Sequence, residues 1–352
     1  MTSLLPRYNA QETYDWNYAH APPPVELDLH PMPGEWRFCG RRVDSPLGIA
    51  AGPLLNGAWC LYYASLGFDV VTYKTVRSVE RACYPLPNLQ PVACGSLHGG
   101  ESDLPAIDEM QGSWAVSFGM PSQAPSVWRA DLEKTRGLLP AHQLLSVSVV
   151  GTIQEGWTID ELAADYALCA RWAVESGADC VETNFSCPNV ASCDGQLYQH
   201  PHDAATVAQR VAEAVGNTPY IVKVGHVATS GELEELLTAL APWACAVAMT
   251  NSVAATIVDP QGKRMFGGQK RGICGAATFE PSLTQVQQAS EVIARRGLSL
   301  EVIGVGGAAR AQHVRAYLNA GASAVHLATA AMIDPAAGAK IRREWAVSFS
   351  GG

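Results

Sequence analysis

The chain has 352 residues, 48% apolar and 16% charged, with 24 Lys and Arg against 33 Asp and Glu for a formal net charge of −9. That negative excess repels a phosphate backbone, and no dense basic stripe offsets it, which argues against a nucleic-acid partner. The apolar share argues against disorder, and neither a spanning apolar run nor a signal-peptide pattern at Met1 to Ala10 is evident, so a cytoplasmic enzyme is the expectation.

Residues 1–44 mix Tyr8, Tyr14, Trp16, Tyr18 and Trp36 with many prolines, including Pro22, Pro23 and Pro24. Proline withholds backbone donors and interrupts regular elements, so this reads as an extended, irregular arm. Its aromatic residues imply packing: a belt over the domain wall, a subunit contact or an active-site cover.

From Ser45 the texture becomes periodic. Short apolar runs at 46–52, 69–74, 144–150, 179–185, 219–225, 244–250, 301–306 and 323–328 read as strands. Helical spacing follows at 56–66, 126–136, 158–177, 203–215, 231–240, 282–296, 309–320 and 335–345. Eight strand–helix units predict an α/β fold, a closed (β/α)8 barrel over 45–346 with a short tail at 347–352. Two insertions, 78–124 and 251–281, follow the second and sixth strands, on the face where such a barrel carries its active site. Short strands and turns are expected in the first, and a partly mobile lid in the second.

The densest chemical constellation is Asn184-Phe185-Ser186-Cys187-Pro188-Asn189, directly after a strand. Two carboxamides flanking a thiol suit a planar amide or imide ligand, because each both donates and accepts. Taken alone, Cys187 is either a packing thiol or an acid/base. Lys74 and Lys223 interrupt apolar strands, and a buried ammonium needs an electron-rich partner. The alternatives are an internal ion pair, with Glu182 as the candidate anion, and a ligand. Gly304-Val305-Gly306-Gly307 before a helix, with Ala328-Thr329 after the last strand, matches the usual barrel phosphate site after strands seven and eight. The ten cysteines contain no CxxC pair, and His98, His226 and His326 read as ordinary hydrogen-bonded histidines, so no metal site is expected.

These residues fall in a familiar order. Ala50-Ala51-Gly52-Pro53, Tyr73-Lys74-Thr75, the Asn184 to Asn189 block, Ile221-Val222-Lys223, Thr250-Asn251-Ser252, Gly304 to Gly307 and Leu327-Ala328-Thr329 together resemble the dihydroorotate dehydrogenase family over about Ser45 to Asp334. Cysteine at the base position resembles the soluble class 1 enzymes. The resemblance implies FMN held by Ala51, Gly52, Lys74, Lys223, Asn251, Ser252, Gly275, Gly306, Gly307, Ala328 and Thr329. It implies a pyrimidine-like substrate against Lys74, Asn184, Asn189 and Asn251, with Cys187 as acid/base and Lys223 facing the flavin. A homodimer, the commonest closed assembly, and a separate electron-transfer partner are further expectations.

Four positions depart from the family pattern. Val116 and Ser122 stand where the family carries asparagines, and Arg271 and Cys274 enter the glycine-rich stretch. Val116 removes hydrogen bonding from one wall of the substrate site. The expectation is therefore an FMN-dependent oxidoreductase interconverting a dihydropyrimidine and a pyrimidine, dihydroorotate and orotate among the candidates. The alternatives are a relative acting on another conjugated amide or ring, towards which the paired departures lean, and a non-catalytic FMN- or phosphate-binding barrel.

Overall fold

The computed structural model describes residues 5–101, 103–186 and 196–347. Eight parallel strands close into a barrel: β1 Leu47–Ile49, β2 Val70–Val76, β3 Leu144–Val149, β4 Cys180–Asn184, β5 Tyr220–Lys223, β6 Ala246–Met249, β7 Glu301–Val305 and β8 Ala324–Leu327. β8 pairs with β1 in parallel register, which closes the ring. The strands are buried on both faces, as helix-covered parallel strands must be, and this is why they read in sequence as continuous apolar runs.

The surrounding helices are α1 Gly57–Ser65, α2 Pro125–Leu138, α3 Ile159–Glu175, α4 Pro201–Val215, α5 Ser230–Leu240, α6 Phe279–Arg296, α7 Ala311–Asn319 and α8 Ala337–Val347. Their ends follow local chemistry. Thr158 with Glu161 and Thr229 with Glu232 form reciprocal capping boxes that satisfy first-turn amides of α3 and α5. Gly297 ends α6 in the left-handed region.

The N-terminal end of the barrel is plugged. Trp36–Phe38 and Arg41–Val43 form an antiparallel hairpin, and fully buried Phe38 packs among Val70, Leu144, Cys180, Ile221, Ala246 and Ala324. The same ring stacks on His326 at 5.4 Å.

The opposite end carries a four-stranded antiparallel cap, ordered Val253–Ala255, Arg271–Gly275, Ser113–Val116 and Leu89–Pro91. Both insertions build it. The second, expected to be a lid, instead contributes two of its strands and a third, Ile257–Val258, paired with Leu104–Pro105. Interstrand hydrogen bonding to the first insertion gives its glycine-rich backbone the partners that local sequence does not show.

The arm also departs from a wholly irregular reading. Thr13 accepts a hydrogen bond from the Trp16 amide and starts a helix at Tyr14–Ala19. No described helix is long and apolar enough to cross a membrane.

Candidate active site

At the C-terminal ends of the strands two cavities, about 130 and 270 Å³, share Asn251, Cys274, Val305, Ala328 and Thr329. They form one trough. Its first end takes the 50–53 backbone, Lys74, Asn184, Lys223 and Ser252, with Leu89, Trp114, Val116, Phe118 and Met120 as an apolar wall. Its second end takes Gly275, Gly306, Gly307 and the start of the short helix Thr329–Ile333. Larger hollows of about 720 and 650 Å³ lie elsewhere and gather none of the sequence-predicted binding residues. Size is therefore a poor guide here, and the converging polar groups mark the site.

The barrel register sets the polar residues. Lys223 pairs with Asn184, and two positions earlier Ile221 pairs with Glu182. Asn184 accepts from the Ser186 amide at 3.2 Å and directs its Nδ2 to the Met120 sulfur at 3.8 Å. Asn251 donates from Nδ2 to the Ser186 carbonyl at 2.9 Å. Two predicted ligand residues thus hold Ser186, the last described residue before Cys187. Cys187 and Asn189 themselves lie outside the described residues.

Lys74 sits on β2 with its Nζ 4.6 Å from the Phe118 ring centroid. Lys223 forms no ion pair within 4 Å among the described residues, so the internal-pair alternative with Glu182 is not what the structure contains. The two still interact: burial pushes the Glu182 carboxyl up, and the Lys223 charge with a Ser148 hydrogen bond pulls against it.

His326 corrects another expectation. It is 1% exposed and neither ring nitrogen has a hydrogen-bond partner. Burial, then the Lys223 charge, pushes it down to about 3, so it is neutral. Gly48 makes room for it, since a Cβ there would lie 2.5 Å from Nε2.

The departures from the family pattern separate in space. Val116 pairs with Gly272 in the cap and lines the trough. Ser122 does not line it; its hydroxyl accepts from the Arg77 amide at 3.1 Å and donates to the Gln123 carbonyl. Arg271 turns away from the trough, donating from Nε to the Ser117 hydroxyl at 2.9 Å and lying 4.9 Å from the Phe266 ring centroid.

The sequence reading missed the turn at Gly119 and Met120. Both have positive φ, 76° and 51°. The flanking carbonyls are held outward, Phe118 by the Tyr84 amide and Met120 by Arg77 Nε. Gly119 and Met120 both line the trough, so this stretch of backbone lies within reach of a bound ligand. A glycine beside Met120 was the available signal.

The second end fits a phosphate-bearing group. A Cβ at Gly306 would lie 2.2 Å from the Ser282 hydroxyl, and one at Gly307 would lie 2.6 Å from Phe279 Cβ. Both have positive φ, so glycine alone permits this tight loop, whose backbone then approaches a ligand closely. At the other end, a Cβ at Gly52 meets nothing within 4 Å, leaving that strand end open to a ring.

A family model described as dihydroorotate dehydrogenase matches residues 35–347. The chain is 31% identical over 317 residues to dihydroorotate dehydrogenase of Dictyostelium discoideum, covering 85% of this chain and 84% of that one. It is 26% identical over 306 residues to the dihydroorotate dehydrogenase B (NAD(+)) catalytic subunit of Desulforudis audaxviator, covering 86% and 88%. The DHODH of Eimeria tenella, solved with ferulenol, superposes with a TM-score of 0.74 at 17% identity, over 96% of this chain and 90% of that one, a likeness of fold. The strand-end lysines, the Asn184 block and the glycine loop thus stand in a chain that belongs to the dihydroorotate dehydrogenase family, flavin-dependent oxidoreductases acting on CH–CH bonds.

Proposed function

We propose that this protein oxidises dihydroorotate to orotate with FMN in the trough. The observation that carries the reading is the trough itself, which joins a lysine- and asparagine-lined end to a glycine phosphate cradle. Gly306, Gly307, Ala328 and Thr329 would take the phosphate, with Gly275 beside them. Ala51, Gly52, Asn251, Ser252, Lys74 and Lys223 would surround the ring. Bound there, FMN would supply the hydride acceptor.

The chain's own residues divide the remaining work. Lys74, Asn184, Asn189 and Asn251 orient the substrate ring, and Cys187 takes the proton from the carbon adjacent to the one losing hydride. The product is orotate once both have left. Lys223 places positive charge where electron density accumulates. The Gly119 and Met120 amides receive the substrate carboxylate. In this reading carboxylate binding does not depend on the asparagine that Val116 replaces. The family relatives favour the same reading. It extends to residues 45–346 as the catalytic barrel, with arm 1–44 and tail 347–352, and to a cytoplasmic homodimer served by a separate electron-transfer partner.

Acid release and chromatography of the bound flavin test the cofactor assignment. Stoichiometric FMN is expected; stoichiometric FAD overturns it.

A further inference from the structure

The part of the N-terminal arm before residue 35 precedes the 35–347 span of the family match, yet it reaches the wall of the trough. Tyr14, 3% exposed, lies edge-on to Phe118 at 6.2 Å, and Tyr8 does the same at 6.1 Å. The Lys74 ammonium lies 4.6 Å from the Phe118 centroid and 5.7 Å from that of Tyr14. Phe118 and Lys74 line the trough; Tyr14 stands behind them.

The arm is bolted in place. The Asn17 side chain donates to the Asn9 and Thr13 carbonyls and accepts from the Asn9 amide. From α1 and its cap, Trp59 Nε1 donates to the Asn17 carbonyl at 3.0 Å, and Asn56 Nδ2 to the Tyr18 carbonyl at 2.8 Å. Tyr62 donates its hydroxyl to the Pro6 carbonyl. Tyr14 is therefore held at both sides of its short helix against the lysine.

We infer that Tyr14 is a positioning residue for substrate binding, acting through Phe118 to fix Lys74 at the mouth of the trough. An ammonium withdrawn from water needs an electron-rich neighbour. Aromatic faces attract the cation through their quadrupole and keep its charge available. Two rings, Phe118 and the Tyr14 of the rigid arm, also restrict a long, flexible side chain that would otherwise lose rotamer entropy on binding. The inference rests on the dihydroorotate reading for the identity of the ligand.

The test uses flavin-loaded wild type, Tyr14→Phe and Tyr14→Leu. Orotate is titrated by the flavin absorbance, KM and kcat are measured with dihydroorotate, and thermal unfolding is followed in parallel. Tyr14→Leu should bind orotate about five- to tenfold more weakly, the scale of a partly desolvated cation–aromatic contact. Its KM should rise by a similar factor while kcat changes less than twofold. Tyr14→Phe keeps the ring and should stay within twofold of wild type. Should Tyr14→Leu not fold, Tyr14→Met is read in the same way. Unchanged orotate affinity in the aliphatic variant, or equal damage from Tyr14→Phe, overturns the inference and leaves the substrate reading intact. Absence of orotate binding to wild type overturns the substrate reading, and this inference with it.

Discussion

Lys223 on β5 is the register partner of Asn184 on β4, so ammonium and carboxamide leave adjacent strands at one height and line one cavity. Beneath them are Glu182 and His326, both almost fully buried. His326 is neutral, which leaves Lys223 as the positive charge of this interior group. Lys223→Met keeps the aliphatic stem and removes that charge. Flavin reduction should slow by about 10²-fold or more, and the potential of the bound flavin should fall, as expected for loss of preorganised electrostatic stabilisation. Anaerobic stopped-flow and a redox titration check this; an unchanged rate and potential would remove Lys223 from its proposed role.

Val116→Asn asks how far the apolar wall limits substrate recognition. In the proposed reading, where the Gly119 and Met120 backbone takes the carboxylate, an added carboxamide would contribute one further neutral hydrogen bond, about 0.5–1.5 kcal/mol. Orotate should therefore bind roughly two- to tenfold more tightly to Val116→Asn. Weaker binding would mean that the valine serves a less polar ligand.

His326 should leave a signature in stability against pH. An unfolded imidazole takes its proton near 6.5, whereas the folded one resists until about 3. Between those values the unfolded state binds more protons, so stability falls as pH falls, by at most about 1.4 kcal/mol per pH unit. His326→Gln removes that slope. Urea unfolding at pH 7, 6, 5 and 4 should show the difference between wild type and variant shifting in the variant's favour as pH drops. Burial of Glu182 acts in both proteins and largely cancels. Parallel stability curves would contradict the neutral, buried assignment.

The barrel was legible because its signals are local. Runs such as Val70–Val76 and Leu144–Val149 are wholly buried, and two of the helices that alternate with the strands, α3 and α5, carry their own capping boxes. The cap sheet was not legible. Ser113–Val116 finds its partner in Arg271–Gly275, more than 150 residues away, and strands this short depend on tertiary pairing rather than propensity. The same holds for the site. Lys74, Lys223, Asn184 and the glycine loop announce themselves by residue type, but the Gly119–Met120 turn is a backbone feature. Tyr14 was visible only as an aromatic residue in a proline-rich arm; its place behind Lys74 follows from the path of that arm over α1.

Cys187→Ala should retain flavin and orotate binding while slowing reduction by dihydroorotate by roughly 10²-fold or more, the scale of a lost acid/base group. Cys187→Ser should recover little of that loss near neutral pH, since an alcohol is a far weaker base than a thiolate. A near wild-type first half-reaction in Cys187→Ala would make the thiol structural.

The most direct measurement of the central claim is anaerobic mixing of the purified flavoprotein with dihydroorotate and, separately, with dihydrouracil. Dihydroorotate should bleach the flavin and yield one orotate per flavin reduced, while dihydrouracil should react far more slowly. Rapid bleaching by dihydrouracil with none by dihydroorotate would contradict that claim.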